Sequence, residues 1–318
     1  MTHLKKTASS IALAFAGMAM LMSAAPARAV VMASSVVDMT NFIIRGSNGN
    51  QLDYTTDFSF LTFTSSADYS GDLGGSSFSL SSSAAPLDFA PNCVGSGCGA
   101  LALVDNTFPK LAVPVAGNYA AADQLESGSP VTGIAGFASP AHVSSAAYAG
   151  LDTAYGLASS DANNNLNSSF IFRLNQDQGI SFSFDINAYL QVALTNDEAF
   201  PGFATAAYDM KFSIINLSGG GTTVYNYSPD LFGDGTKTLS LNAPLPINIQ
   251  LIRDTGALPQ SFTSATVPLQ AGVLYQLSAR TNTDADVQRV PIPEPSSLAL
   301  MGLGLLGVSL RMLKRRQA

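Results

Sequence analysis

Between Ile180 and Leu194 every second residue is apolar: Ile180, Phe182, Phe184, Ile186, Ala188, Leu190, Val192 and Leu194. The intervening residues, among them Ser181, Ser183, Asp185, Asn187, Gln191 and Thr195, are mostly polar. A helix repeats its faces about every 3.6 residues, so a period of two over this length describes an antiparallel strand with one buried and one wet face. Phe170, Phe172 and Leu174 repeat the pattern just before it, and Asn175 to Gly179 has the length of a hairpin loop. Tyr208, Met210, Phe212 and Ile214, a turn at Ser218 to Gly221 and a return over Thr222 to Tyr227 predict a second hairpin. Shorter strands are expected at Phe42 to Arg45, Phe58 to Thr64, Phe78 to Ser81, Tyr148 to Leu157, Ile247 to Ile252 and Leu274 to Arg280. Segments 65–100 and 105–145, rich in Ser, Gly, Ala and Pro, read as long surface loops or weak strands. The fold class is therefore all-β: one antiparallel, jelly-roll-like β-sandwich over residues 30–290.

Composition narrows the setting. The chain has 318 residues, 47% hydrophobic and 12% charged, which excludes disorder as its main state. Charged residues stand at half the usual share of about 25%, replaced by uncharged polar types, which argues against a cytosolic metabolic enzyme. Seven of the 15 basic residues are Lys5, Lys6, Arg28, Arg311, Lys314, Arg315 and Arg316, at the two ends. The body of the chain is left with a large acidic excess, so nucleic acid is not an expected partner.

The ends read as addresses. Residues 1–29 combine Lys5 and Lys6, an apolar run from Ile11 to Met22, and the small residues of Ala27-Arg28-Ala29. That order makes a secretory signal peptide, cut by signal peptidase between Ala29 and Val30. At the other end, Pro293, Glu294 and Pro295 precede an uncharged stretch from Leu298 to Leu310 and the basic residues Arg311, Lys314, Arg315 and Arg316. The stretch is shorter than the roughly 20 residues of an untilted span, yet its basic flank has the polarity of a single transmembrane helix with a cytoplasmic C-terminus. Gly302 to Gly307 spells G-x-G-x-x-G, but no strand precedes it and no acidic residue can follow at the required distance, so it is not a dinucleotide site.

Few residues offer chemistry. Cys93 and Cys98 enclose Val94-Gly95-Ser96-Gly97, and in an exported chain they predict a local disulfide. Removing the signal peptide leaves His142 as the one histidine, in the loop-like Ala138-Ser139-Pro140-Ala141-His142 and without a G-x-S-x-G elbow. The acids are mostly Asp in turns and the chain has no Trp, which speaks against a glycosidase. The expectation is a protein without catalytic residues. Asp161, Asn163 and Asn165 place oxygen donors at alternate positions, as at the start of an EF-hand loop. Leu166 and Phe172 then stand where Gly and Glu are required, which leaves an Asn-rich turn as the competing reading. Asp230 to Gly235 is a second calcium candidate of this kind.

Residues Val290 to Ser297, the Gly/Leu-rich stretch and the Arg/Lys end closely resemble the PEP-CTERM sorting signal of Gram-negative bacteria. The resemblance covers residues 291–318. It implies a membrane protease, exosortase, that reads Pro293, Glu294 and Pro295 and removes the helix and basic tail. Cys93 to Cys98, Asp105 to Phe108, Ala122 to Leu125 and Phe182 to Asp185 resemble a family of exosortase-dependent surface abundant proteins. That likeness implies a non-enzymatic protein of the cell surface or extracellular matrix, linked to exopolysaccharide or biofilm. The alternative is a calcium-dependent carbohydrate-binding module.

Overall fold

The computed structural model describes residues 30–83, 87–152, 158–195, 202–242, 249–256 and 260–289. The signal peptide and the sorting segment expected at the ends lie outside these. Two antiparallel sheets face each other. The first runs β12 (Ile249–Asp254), β8 (Gln178–Leu194), β1 (Val31–Gly46), β6 (Ala141–Leu151), β5 (Tyr119–Ser127), β4 (Leu87–Val94). Two short strands, β13 (Gln260–Thr263) and β14 (Val267–Leu269), also pair with β8. The second runs β10 (Thr222–Tyr227), β9 (Gly202–Asn216), β15 (Tyr275–Arg289), β7 (Ala158–Leu174), β2 (Phe58–Leu73), β3 (Ser76–Ser82), with β11 (Thr238–Asn242) also on β9. Helix is confined to two single turns among the described residues, α1 (Tyr54–Asp57) and α2 (Cys98–Leu101). The two-sheet antiparallel sandwich is the architecture expected, with 15 strands among the described residues where a jelly roll has eight.

Alternation explains the inner faces. Phe182 and Phe184 on β8 stack on Phe212 of β9, with ring centroids 4.8 and 5.0 Å apart. Phe42, bulging inward from β1, closes on the same ring at 5.7 Å. Such pairs add about 0.5–1.5 kcal/mol each beyond the area they bury. The second hairpin forms as β9 and β10.

Three expectations are corrected. Asn175 to Gly179 does not close a hairpin, because β7 and β8 belong to different sheets and the turn is an arch between them. Much of 105–145 is not loop: β5 and β6 are inner strands of the first sheet, with Tyr119, Ala120, Ala121 and Ala122 and Ala146, Ala147, Tyr148 and Ala149 all fully buried. Segment 65–100 likewise holds the rest of β2 together with β3 and β4. Small residues let β5 and β6 be covered on both faces, which erases the alternation that marks a half-buried strand.

The cover on the outer face of the first sheet comes from the chain between β4 and β5. Leu101, Phe108 and the partly buried Leu103, Leu111 and Val115 pack on Met32, Val36, Tyr148 and Tyr189. Tyr148 donates its hydroxyl hydrogen to Pro109 O (3.0 Å) and Tyr189 to Leu111 O (2.7 Å). Lys110 crosses to Asp254 (2.5 Å) and Asn187 (2.6 Å). Among the described residues this strap has no counterpart on the outer face of the second sheet, where β7, β15, β9 and β2 show Ser, Thr, Asn and Asp to solvent.

Candidate functional site

Val30, expected to begin the exported chain, is seated beside the first sheet: its N–H donates to Thr195 Oγ1 (2.9 Å) and its carbonyl accepts from Thr195 N (2.9 Å). Ala29, Pro293, Glu294, Pro295, Arg311, Lys314, Arg315 and Arg316 lie outside the described residues. Cys93 and Cys98 are bonded, Sγ to Sγ at 2.04 Å, where the strap leaves β4.

Asp161, Asn163 and Asn165 are in neither an EF-hand loop nor a turn. They occupy alternate positions in the middle of β7, paired on both sides by β2 and β15. An extended strand spreads donors along a line and cannot fold them round one ion as a calcium loop does. In the loop at 230–235, Asp230 accepts from the amides of Phe232, Gly233 and Gly235 and Asp234 from Thr236 N, so these carboxylates cap their own turn. No group of three or more His, Cys, Asp or Glu among the described residues is placed to hold a metal ion.

His142 is not in a loop. It lies on β6, two residues before Ser144, which is in register with Asp38 on β1. His142 Nε2 is 2.7 Å from Asp38 Oδ1 and 2.8 Å from Ser144 Oγ, and Ser144 also donates to Asp38. Three triad residue types therefore meet, brought together by strand register that sequence spacing does not reveal. Their roles do not follow. A relay needs the carboxylate on one ring nitrogen and the hydroxyl on the other, whereas here both share Nε2, and Ser144 is fully buried. Burial opposes ionisation of Asp38, but the hydrogen bonds and charge of its neighbours win and hold its carboxyl below the usual range.

Two further acids sit on β5. Asp123, under the strap, has its pKa pushed up to about 7, mainly by burial. Glu126 faces the second sheet, accepts from Ser168 Oγ (2.5 Å) and is also raised by burial. Both are at most 2% exposed, so neither can meet a substrate.

A solvent-facing concavity lies on the uncovered face of the second sheet, and another, at the β8–β14 end of the first, is lined by Asp177, Gln178, Pro268, Leu269 and Tyr275. Strand register lines up Lys211, Arg280, Asn167 and Ser66 across β9, β15, β7 and β2. Asn165 and Asp68 flank that row on one side and Ser213 and Ser278 on the other; together these residues enclose about 360 Å³. A further concavity, with Thr64, Ser83 and Ser169, continues from the shared Ser66 and Asn167. Arg280 donates to Asn282 Oδ1 (3.2 Å) and Asn165 Oδ1 (3.3 Å). The residue types of this face can be read from the sequence, but their gathering into one polar groove comes from strand register.

Comparison with known proteins supplies the decisive observation at the C-terminus, where residues 291–316 match the model of the PEP-CTERM protein-sorting motif. The chain is an exosortase substrate. No curated protein matches it. Among solved structures, the VP2 subviral particle of infectious bursal disease virus is 11% identical over 88% of each chain with a TM-score of 0.11. The Gx strain of the same virus is 13% identical over 90% of each chain with a TM-score of 0.09. At those scores neither likeness bears on fold or function. The exosortase motif places the protein among exported surface proteins processed at the membrane. No helix among the described residues is long and apolar enough to cross a membrane.

Proposed function

We propose that the chain is a non-enzymatic protein of the cell surface or extracellular matrix, whose β-sandwich is the delivered part. Signal peptidase would free Val30. The stretch from Leu298 to Leu310 would hold the protein in the inner membrane until exosortase cuts at Pro293, Glu294 and Pro295. The observation that carries this reading is the sorting motif. The shared nitrogen of the His142 cluster and the burial of Ser144, Asp123 and Glu126 support the absence of catalysis. A link to exopolysaccharide or biofilm is supported by an uncovered face rich in amides and hydroxyls.

Replacing Pro293, Glu294 and Pro295 with Ala tests the reading. The apolar stretch stays in lipid while Arg311, Lys314, Arg315 and Arg316 resist translocation, so the variant should accumulate in the inner membrane with its basic tail attached. Maturation of the Ala variant at the wild-type rate would overturn the proposal.

A further inference from the structure

Lys211 and Arg280 are direct cross-strand neighbours on β9 and β15, both on the solvent face. Like charges so placed repel. Arg45 reaches the carbonyl of Gly49, whereas Lys110 pairs with Asp254, Lys237 with Asp209 at 3.7 Å and Arg253 with Asp234 at 3.3 Å. Arg280 instead reaches two neutral amides, and Lys211 has no hydrogen bond or ion pair among the described residues. The body of this chain has acids in excess, so a pair of adjacent cations without a carboxylate is an arrangement that stability alone does not favour.

We infer that this groove binds the sugar acids of an anionic polysaccharide, with Lys211 and Arg280 taking the carboxylate and Asn165, Asn167, Ser66 and Asp68 taking hydroxyl groups. The guanidinium fork of Arg280 matches the two oxygens of a carboxylate. The row from β9 to β2 spans three inter-strand steps, about 14 Å, which one carboxylate leaves mostly unfilled. What fills the rest must offer hydrogen-bond donors as well as acceptors, because ionised Asp68 only accepts. A sugar hydroxyl satisfies Asp68, whereas a second anionic group would be repelled by it, which separates a sugar acid from phosphate. Without aromatic rings in its lining, the groove depends on its charges, and binding weakens as salt is added.

The inference rests on the exported location proposed above, but its test is read on purified protein, so failure to bind leaves the sorting reading standing. The protein as exported by its own host is run through gels containing polygalacturonate, alginate or neutral dextran, with inorganic phosphate as competitor. At least one acidic polymer should retard it and dextran should not. The double variant K211Q/R280Q should lose affinity at least tenfold while its melting temperature stays at or above wild type. Retardation by neither acidic polymer, equal retardation by dextran, unchanged binding of the double variant, or displacement by phosphate at the concentrations that displace free galacturonate would each overturn the inference. Should the double variant not fold, K211Q alone, at an exposed position, carries the same test.

Discussion

On the outer face of the first sheet, Tyr148 and Tyr189 stand beneath a strap that accepts their hydrogen bonds; on the outer face of the second, Asn163, Asn167, Arg280 and Asp286 stand in solvent. Both sheets bury their other face in one shared core. The covered face holds large aromatics and an acid, Asp123, that burial makes hard to ionise, so its residues are answerable to packing. The open face rests on strands already fixed from beneath, so its side chains can be chosen for what they bind. Stability and recognition are thereby divided between two surfaces of one sandwich.

The largest test of that division is truncation. Tyr189→Ala removes a buried ring and a hydroxyl that donates to Leu111 O and should cost about 3–5 kcal/mol in a denaturant titration. Asn163→Ala on the open face should stay within about 0.5 kcal/mol. Next comes pH. Asp123 titrates near 7 when folded and near 3.8 when unfolded, and Glu126 is raised likewise. A raised carboxyl stabilises the fold below its unfolded value and loses that contribution as pH climbs through the folded one. The melting temperature should therefore fall between about pH 4 and pH 7, and Asp123→Asn should flatten that slope.

A smaller effect is expected from replacing Cys93 and Cys98 with Ala. The six-residue ring they close is worth about 2 kcal/mol in the loop-closure account, and hydrogen exchange should quicken in the strap and not along β7 or β15. Smallest is Lys211→Gln, which relieves a like-charge contact and should shift stability by less than about 1 kcal/mol, upward or not at all. A loss larger than that of the cysteine pair would mean that the open face carries the fold after all.

How much of this was legible depended on which residues did the covering. β8 could be read because Ile180 to Ile186 alternate with residues that stay partly wet. From Ala188 onward every residue of β8 is buried, since the strap lies on the other face, and only Tyr189 and Ala193 in the sequence hinted at it. β5 and the start of β6, up to Ala147, read only as loop or weak strand because Ala and Ser suit a strand buried on both faces as well as a loop. Asp161 to Asn165 were misread because Asn favours turns in isolation, while pairing to β2 and β15 overrides that preference here. Disulfide and sorting tail were legible because each is local in sequence; the His142 cluster and the groove were not, because each is assembled by register across strands.

Gly202, the partner of Arg289, lies so near β1 that a Cβ there would come within 2.5 Å of Val31 Cγ2. The domain is thus entered and left at the same pole. Pro293 lies four residues beyond Arg289, so even fully extended chain would keep the sorting motif within about 14 Å of that pole. From Arg289 back to Arg280 the strand rises nine residues, about 30 Å. The groove therefore sits well along the sheet from the pole that leads to the sorting motif, so the processing proposed at that motif would leave it clear.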